Sequence, residues 1–262
     1  MSFDARKMRT LLVNDDGISA PGLAVLEEIA RALSDDVWVV APQTEQSAIS
    51  HALTLRQPIR VHQHDEKRFS ITGTPADCVQ IALLELVGMT DGRKPDLVLS
   101  GINMGPNLAD DLVYSGTLGA AMEAAMFGVP AMALSQFIVG GEPVNWAVAR
   151  KQGADIVRAL LKAGGANGSC FNINFPAVSG DVPCPVKVVR QGVESYAGSF
   201  EGRKDPRGHS YYWNAGRRKA PDAFDGRDDD VTHVHAGGIS VTPLRLDWTH
   251  EEAMKGLEGV FA

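Results

Sequence analysis

A short apolar run that stops at two adjacent acids sets the main constraint on the fold of this chain. Residues 11–13 (Leu-Leu-Val) are followed at once by 14–17 (Asn-Asp-Asp-Gly). Pro21 and Gly22 then begin a segment with apolar residues at helical spacing, and residues 37–40 form a second apolar run. Proline is tolerated in the first turn of a helix, and the order strand, loop, helix, strand is typical of a parallel α/β sheet. The sequence therefore predicts an α/β fold.

The same alternation continues to residue 176. Apolar patterning predicts further strands at 96–99, 131–134 and 171–174, and helices at about 74–87, 117–127 and 144–163. Residues 52–72 alternate more and contain Pro58, so we expect short strands or hairpins at the margin of the sheet. We therefore expect residues 1–176 to form the α/β core, with 1–8 as an N-terminal extension.

The composition changes after Pro176. Residues 177–230 are rich in Pro, Gly and charge, with strand-like pieces at 186–189 and 210–213; residues 239–242 are also strand-like, and 249–257 can form a terminal helix. This part is too thin for a core of its own, so we expect 177–262 to pack on the main domain or on a partner subunit. We expect the acidic run 228–230 to be a solvated loop, and the tryptophans to pack in apolar surroundings (Trp38, Trp146, Trp213 and Trp248).

Charge and cysteine content exclude several classes of protein. Lys and Arg total 25 against 32 Asp and Glu, a net charge of −7, which argues against binding to nucleic-acid polymers. The three cysteines show no C-x-x-C spacing, so a reduced, cytoplasmic setting fits best. The first ten residues have no apolar core of a secretory signal, and the longest apolar stretch, 119–141, is interrupted by Glu123, Gly128 and Pro130. We therefore expect no membrane span.

Three polar segments follow predicted strand ends: residues 14–17, 43–47 and 100–107. Ligands of open parallel sheets bind beyond the carboxyl ends of the strands, so these segments should share one crevice. Their carboxylate, hydroxyl and amide oxygens suit a hard divalent cation such as Mg²⁺, Mn²⁺ or Ca²⁺. Asp15 and Asp16 can face one ion only at a turn, which Gly17 would supply. The alternative is that this Asp-Asp-Gly is an ordinary solvated turn.

A possible anion site lies further along, at residues 114–117 (Tyr-Ser-Gly-Thr). These residues precede a helix of small side chains, whose first backbone N–H groups, with the hydroxyls of Ser115 and Thr117, can hold a phosphate. The alternative is an ordinary Ser/Thr N-cap. Metal ligands beside an anion cradle indicate phosphate-ester chemistry.

Other sites and classes are weaker. His62 with His64, and His233 with His235, have spacing that places both rings on one face of a strand, but neither pair has a matching Cys or carboxylate pattern for zinc. Dinucleotide-binding, P-loop and nucleophile-elbow motifs do not occur. A catalytically silent phosphate-binding module and a phosphorylatable receiver-like domain remain as alternatives, although the middle strand ends in Ser-Gly-Ile-Asn rather than the Asp a receiver needs.

An ordered set of motifs resembles the SurE family of 5'-nucleotidases. These motifs span residues 9 to 244 and occur in the family's order, namely 11–17 with 20–22, 41–47, 73–79, 100–108, 110–111, 114–117, 172–176 and 240–244. The resemblance implies a Rossmann-like three-layer core with a mainly parallel sheet. It also implies a C-terminal extension with a β-hairpin and a terminal helix that is exchanged between subunits of a homodimer or homotetramer, with 239–244 packing back on a core. Residues 199–236 are the least similar to the family.

The resemblance also implies an activity and its residues. The expected enzyme is a divalent-metal-dependent phosphomonoesterase that hydrolyses nucleoside 5'-monophosphates, with 3'-nucleotides and short polyphosphate as further substrates. One Mg²⁺ or Mn²⁺ ion per subunit would be held by Asp15, Asp16, Ser47 and Asn103. The phosphate would be lined by Asn107, Ser115, Gly116 and Thr117, with Asp15, Asp16 and Asn107 as catalytic residues. Whether water or one Asp attacks phosphorus is left open.

Overall fold

A single mixed sheet organises the computed structural model, which describes residues 7–87, 91–164, 169–193, 196–197, 199–215, 217–218 and 227–261. The sheet has nine strands in this part of the chain: β1 (Arg9–Val13), β2 (Asp36–Pro42), β3 (Val61–Asp65), β4 (Arg68–Ile71), β5 (Leu97–Met104), β6 (Ala131–Gln136), β7 (Ser169–Phe175), β8 (Val186–Val188) and β13 (Ile239–Arg245). The helices that cover it are α1 (Pro21–Arg31), α2 (Pro75–Ile81), α3 (Gly116–Met126) and α4 (Ala147–Lys162).

Six neighbouring strands are parallel, in the order β4-β2-β1-β5-β6-β7. The strand order therefore reverses between β1 and β5, where Val13 pairs with Ser100. Such a reversal is the topological switch point at which open α/β sheets bind ligands. At one edge β3 runs antiparallel to β4, and at the other β13 runs antiparallel to β7 and parallel to β8.

The sheet separates two apolar cores. One core contains α1 and α4, and the other contains α2 and α3. On β1, Leu12 faces the first core while Leu11 and Val13 face the second, as the alternation of side chains along a strand requires. The prediction of a three-layer α/β fold with a mainly parallel sheet is confirmed.

Local signals account for the helix starts. α1 begins at Pro21, and α2 begins after a capping box in which the Asp77 N–H donates to the Thr74 hydroxyl and the Thr74 N–H to the Asp77 carboxylate. The helix predicted for 74–87 changes character midway, because Ala82–Leu86 forms a π-helical turn.

The C-terminal part adds smaller elements to this core. β10 (Phe200–Lys204) pairs with β11 (Ser210–Asn214) as an antiparallel hairpin, and β9 (Tyr196–Ala197) pairs with β12 (Arg217–Arg218). Two short helices follow, α5 (Asp230–His235) and α6 (Glu251–Gly256). Trp213 and Trp248 are 60% and 78% exposed, so the expectation that all tryptophans pack in apolar surroundings is wrong for these two.

Two further sequence-based expectations need correction. Asp230 is fully buried and accepts hydrogen bonds from the N–H groups of Gly192, Ala109 and Val231, while Asp229 caps α5. The expectation of a solvated loop is therefore wrong for these two residues, whereas Asp228 is exposed. His233 and His235 lie on α5 and not on a strand. The reason for both is that Asp229 starts a helix, which the charge run concealed.

Of the predicted N-terminal extension 1–8, residues 1–6 lie outside the described residues. Met8 is buried in the first core, where Ser34 donates to its carbonyl oxygen. No helix among the described residues combines the length and apolar character needed to span a bilayer.

Candidate active site

The turn after β1 places two acids at the switch point. The side chain of Asn14 closes this turn, because its Nδ2 donates to the carbonyl oxygen of Gly17 (2.9 Å) and its Oδ1 accepts from the Gly17 N–H (3.2 Å). Gly17 has a φ of 98°, which favours glycine. The Gln46 N–H donates to the carbonyl oxygen of Asp15 (2.8 Å), so the loop after β2 is attached to the same turn.

The end of β5 meets this turn directly. The Met104 N–H donates to Oδ2 of Asp16 (3.0 Å), and the side chain of Asn103 donates to the carbonyl oxygen of Gly105 (2.8 Å). The pairing of β5 with β6 is irregular between Ser100 and Asn103. Gly101 fits this bend because its φ is 133° and a Cβ there would lie 2.2 Å from a carbonyl oxygen of β6.

A cavity of about 240 Å³ opens where these loops meet. Its lining comes from all three strand-end loops and from the start of α3, namely Asp15, Ser47, Ala48, Asn103, Met104, Asn107, Asp111, Tyr114 and Ser115. Three of the four predicted metal ligands thus share one cavity. The fourth, Asp16, lies next to it through its bond to Met104. The Ser47 hydroxyl donates to Oε1 of Glu45 (2.6 Å).

The start of α3 packs on Asp15. Thr117 donates its hydroxyl hydrogen to Oδ1 of Asp15 (2.7 Å), and a Cβ on Gly116 would lie 2.9 Å from the Cβ of Asp15. Ser115 caps the helix by accepting from the Leu118 N–H (3.0 Å), so the ordinary N-cap role is present. Ser115 also lines the cavity, and the predicted phosphate-site residues therefore adjoin the acids.

Asn107 is held by side chains that the sequence reasoning assigned no role. Its N–H donates to Oδ1 of Asn174, and its carbonyl oxygen accepts from the amides of Asn172 and Asn174. Its own amide donates to the Ser135 hydroxyl (2.8 Å). Asn172 and Asn174 are fully buried at alternate positions of β7, and this pair of amides in an otherwise apolar strand was the available signal.

The surroundings of Asp15 and Asp16 disfavour the ionised form of both side chains. Burial and the charge of Asp16 raise the pKa of Asp15 to about 6, although its bond from Thr117 acts in the opposite direction. Burial and the charge of Glu45 likewise raise the pKa of Asp16, against the bond from the Met104 N–H. No Lys or Arg in the described part of the chain forms an ion pair with either carboxylate.

These observations fit a hard divalent cation. Asp15 lines one cavity with Ser47 and Asn103, and Asp16 adjoins it through Met104. Carboxylate, hydroxyl and amide oxygens are a donor set of the kind that Mg²⁺ and Mn²⁺ accept. No group of three or more His, Cys, Asp or Glu side chains among the described residues is arranged to hold a metal. The zinc alternative gains no support. His62 and His64 contact each other on exposed β3, but among the described residues no third His, Cys, Asp or Glu side chain completes a metal-binding group with them.

Comparisons with known proteins agree with the fold and motifs. The family model "Survival protein SurE" matches residues 10–198. The chain is 46% identical over 258 residues to a protein of Paramagnetospirillum magneticum named 5'-nucleotidase SurE, covering 98% of this chain and 97% of that one. It is 47% identical over 246 residues to the protein of the same name from Brucella canis, covering 92% and 94%.

A solved structure is similar over nearly the whole chain. The crystal structure of the SurE protein from Aquifex aeolicus aligns with a TM-score of 0.81 and 36% identity, covering 97% of this chain and all of that one. The likeness therefore extends past the family-model match into the C-terminal part. The chain belongs to the SurE family of survival proteins.

Proposed function

We propose that this protein is a divalent-metal-dependent phosphomonoesterase that hydrolyses nucleoside 5'-monophosphates, and also accepts 3'-nucleotides and short polyphosphate. The observation that carries the proposal is the convergence of Asp15 and Asn103, from β1 and β5, on one cavity at the switch point of the sheet. The name 5'-nucleotidase SurE, borne by relatives that match nearly the full chain, supports the nucleotide substrate.

Four side chains of this chain would hold the cation: Asp15, Asp16, Ser47 and Asn103. When bound, one Mg²⁺ or Mn²⁺ ion supplies Lewis-acid chemistry, polarising a phosphoryl oxygen and offsetting charge that develops in the transition state. Thr117 orients Asp15 through its hydroxyl, and Met104 orients Asp16 through its backbone N–H.

The phosphate would lie between Asn107 and the start of α3. Ser115 caps an 11-residue helix that begins with Gly116 and Thr117, and the first N–H groups of such a helix favour an anion. β7 and Ser135 fix the backbone and one amide N–H of Asn107, so its second N–H, which is in a long 3.5 Å contact with the Thr117 hydroxyl, would be the donor to a phosphoryl oxygen. Water then attacks phosphorus and the nucleoside leaves with its hydroxyl.

Phosphate release from AMP tests the proposal. On chelator-treated protein we expect no turnover, with activity returning on addition of Mn²⁺ or Mg²⁺. Asp16→Asn should lower kcat at least about a hundredfold, because it removes charge from the site, whereas Asp155→Asn, at an exposed acid of α4, should match the wild type. Full turnover without metal, or near-normal turnover by Asp16→Asn, would overturn the assignment.

We propose further that the C-terminal extension, 177–262, serves oligomerisation of a cytoplasmic dimer or tetramer by exchange of the hairpin and terminal helix. The extension exposes several large apolar side chains, which monomeric proteins rarely leave uncovered. These side chains support the proposal and are Phe200, Tyr212, Trp213, Trp248, Leu257 and Phe261. Sedimentation of the full chain tests it, and a monomer at micromolar concentration would contradict it.

A further inference from the structure

A buried carboxylate joins three elements behind the candidate site. Glu123, on α3, is 3% exposed and accepts a hydrogen bond from Nε2 of Gln80 on α2 (2.8 Å). Its other oxygen lies 2.5 Å from Nε2 of His51, in the loop that also carries Ser47. We call these three residues, His51, Gln80 and Glu123, the Glu123 junction.

The charge of Glu123 defines the direction of this bond. Burial alone would raise the pKa of Glu123, but the bonds from His51 and Gln80 outweigh it and hold the pKa below its ordinary value. An ionised carboxylate accepts hydrogen bonds only, so Nε2–H of His51 is the donor. Hydrogen bonds to a buried charge are stronger than those between neutral groups.

The segment between Ser47 and His51 needs such an anchor. Ala48 and Ser50 have φ values of 56° and 58°, a left-handed conformation that non-glycine residues keep only when contacts enforce it. Ser50 donates through its N–H to the Tyr114 carbonyl oxygen (2.9 Å) and through its hydroxyl to that of Val113 (2.7 Å). Its own carbonyl oxygen lies so close to α3 that a Cβ on Gly119 would approach it to 2.6 Å.

Beyond His51 the chain is attached to α2. The Thr74 hydroxyl donates to the carbonyl oxygen of Ala52 (2.7 Å), and the Thr54 N–H donates to the carboxylate of Asp77 (3.1 Å). The His51–Glu123 bond is a side-chain hydrogen bond between this loop and α3. It reaches α3 two turns after the residues that adjoin Asp15.

We propose that His51 is a positioning residue: through Glu123 it holds the Ser47 loop against α3, so that the Ser47 hydroxyl and the Ser115–Thr117 turn face one cavity. The inference rests on the proposed function, because it concerns how that site is assembled. His51 is not among the residues that line the cavity and its side chain bonds Glu123, so its effect on the site would pass through the backbone of residues 47–51.

Two measurements on full-length, metal-free protein test this role. In His51→Ala, amide hydrogen exchange in residues 43–54 should accelerate about tenfold or more, and the Kd for Mn²⁺ measured by calorimetry should rise about tenfold, the effect typical of residues that orient metal ligands. His51→Gln, which keeps an N–H donor, should recover part of both. His64→Ala, at an exposed histidine bonded to Ser70, is the matched control and should change neither.

A double variant tests whether His51 affects Mn²⁺ binding through Glu123 or only through the general stability of the protein. If His51 acts through Glu123, the pair His51→Ala with Glu123→Gln should bind Mn²⁺ no more weakly than the weaker single variant. Unchanged exchange in 43–54, or accelerated exchange with an unchanged Kd, would overturn the inference while the wild-type site stands. A wild type that binds no Mn²⁺ would instead contradict the metal dependence in the proposed function, and the positioning role with it.

Discussion

The hydroxyl of Thr117 lies 2.7 Å from Oδ1 of Asp15, joining the start of α3 to the end of β1. Both groups are buried, so the bond holds the carboxylate in one orientation. The helix that would bind the anion and the acid that would bind the cation are therefore held together by a direct hydrogen bond.

Thr117→Val tests whether the hydrogen bond to Asp15 matters for cation binding and for activity. The variant keeps the shape of threonine but removes the hydroxyl that donates to Oδ1 of Asp15, so we expect kcat/KM for AMP and the affinity for Mn²⁺ each to fall about 10- to 100-fold. Steady-state kinetics and calorimetry measure these effects. Thr117→Ser retains the hydroxyl and should stay within a few-fold of the wild type; equal loss in both variants would show that packing, and not the hydrogen bond, matters.

Gly116→Ala should strain the same contact. The added Cβ would come within 2.9 Å of the Cβ of Asp15 and 3.0 Å of a methyl of Ile49, so we expect a loss of about 1–3 kcal/mol in the free energy of unfolding. Chemical denaturation measures this loss. Gly140→Ala is the matched control, because a Cβ there meets no atom within 4 Å among the described residues. A Gly116→Ala protein as stable as this control would argue against the close packing.

Removal of the Asn174 side chain, which bonds the backbone of Asn107, should lower both the stability of the protein and its activity. Asn174→Ala leaves the buried N–H of Asn107 without an acceptor and removes one donor from its carbonyl oxygen, at a cost of about 2–4 kcal/mol. Asn172→Ala removes a single bond to the same oxygen and should cost about half as much. Thermal unfolding and the KM for AMP should follow this order, and a larger effect at Asn172 would contradict it.

Asp36 should contribute stability that depends on pH. Burial alone would raise its pKa, but bonds from Lys67 and Arg9 hold the pKa below 3.8, so the folded state favours the ionised form. Its contribution is therefore complete above the unfolded pKa and lost as pH falls through the folded one. Asp36→Asn should lower the free energy of unfolding by about 2 kcal/mol at pH 7, and less as pH falls below 4.

Denaturant titrations of wild type and variant at a series of pH values measure this difference. Asp155→Asn, at an acid whose side chain is 80% exposed, provides the comparison and should show a small, pH-independent effect. A constant difference between Asp36→Asn and wild type from pH 7 to pH 3 would mean that the ion pair has no stabilising role.

The sequence was informative where local and long-range signals agree. The apolar run of β1, the proline at the start of α1 and the capping box of α2 each specify their element from neighbouring residues, and the order of elements then implies the sheet. The convergence of Asp15 and Asn103 follows from that topology alone. The assigned roles of these residues remain predictions.

Partners distant in the chain could not be predicted in the same way. Asp230 is buried because it satisfies the N–H groups of Ala109 and Gly192, and the sequence around an acidic run does not show where such donors lie. The Glu123 junction similarly joins residues from three elements. Trp213 and Trp248 gave the opposite error, because a large apolar side chain carries no sign of whether its partner belongs to the same molecule.

The position of β13 has a consequence for how the protein is made. Residues 239–245 lie between β7 and β8, although a long segment of chain separates them from β7 in the sequence. Until they emerge, β7 presents an unpaired edge, a template for association between nascent chains. Successful biosynthesis should thus depend on protecting that edge until residues 239–245 have been made.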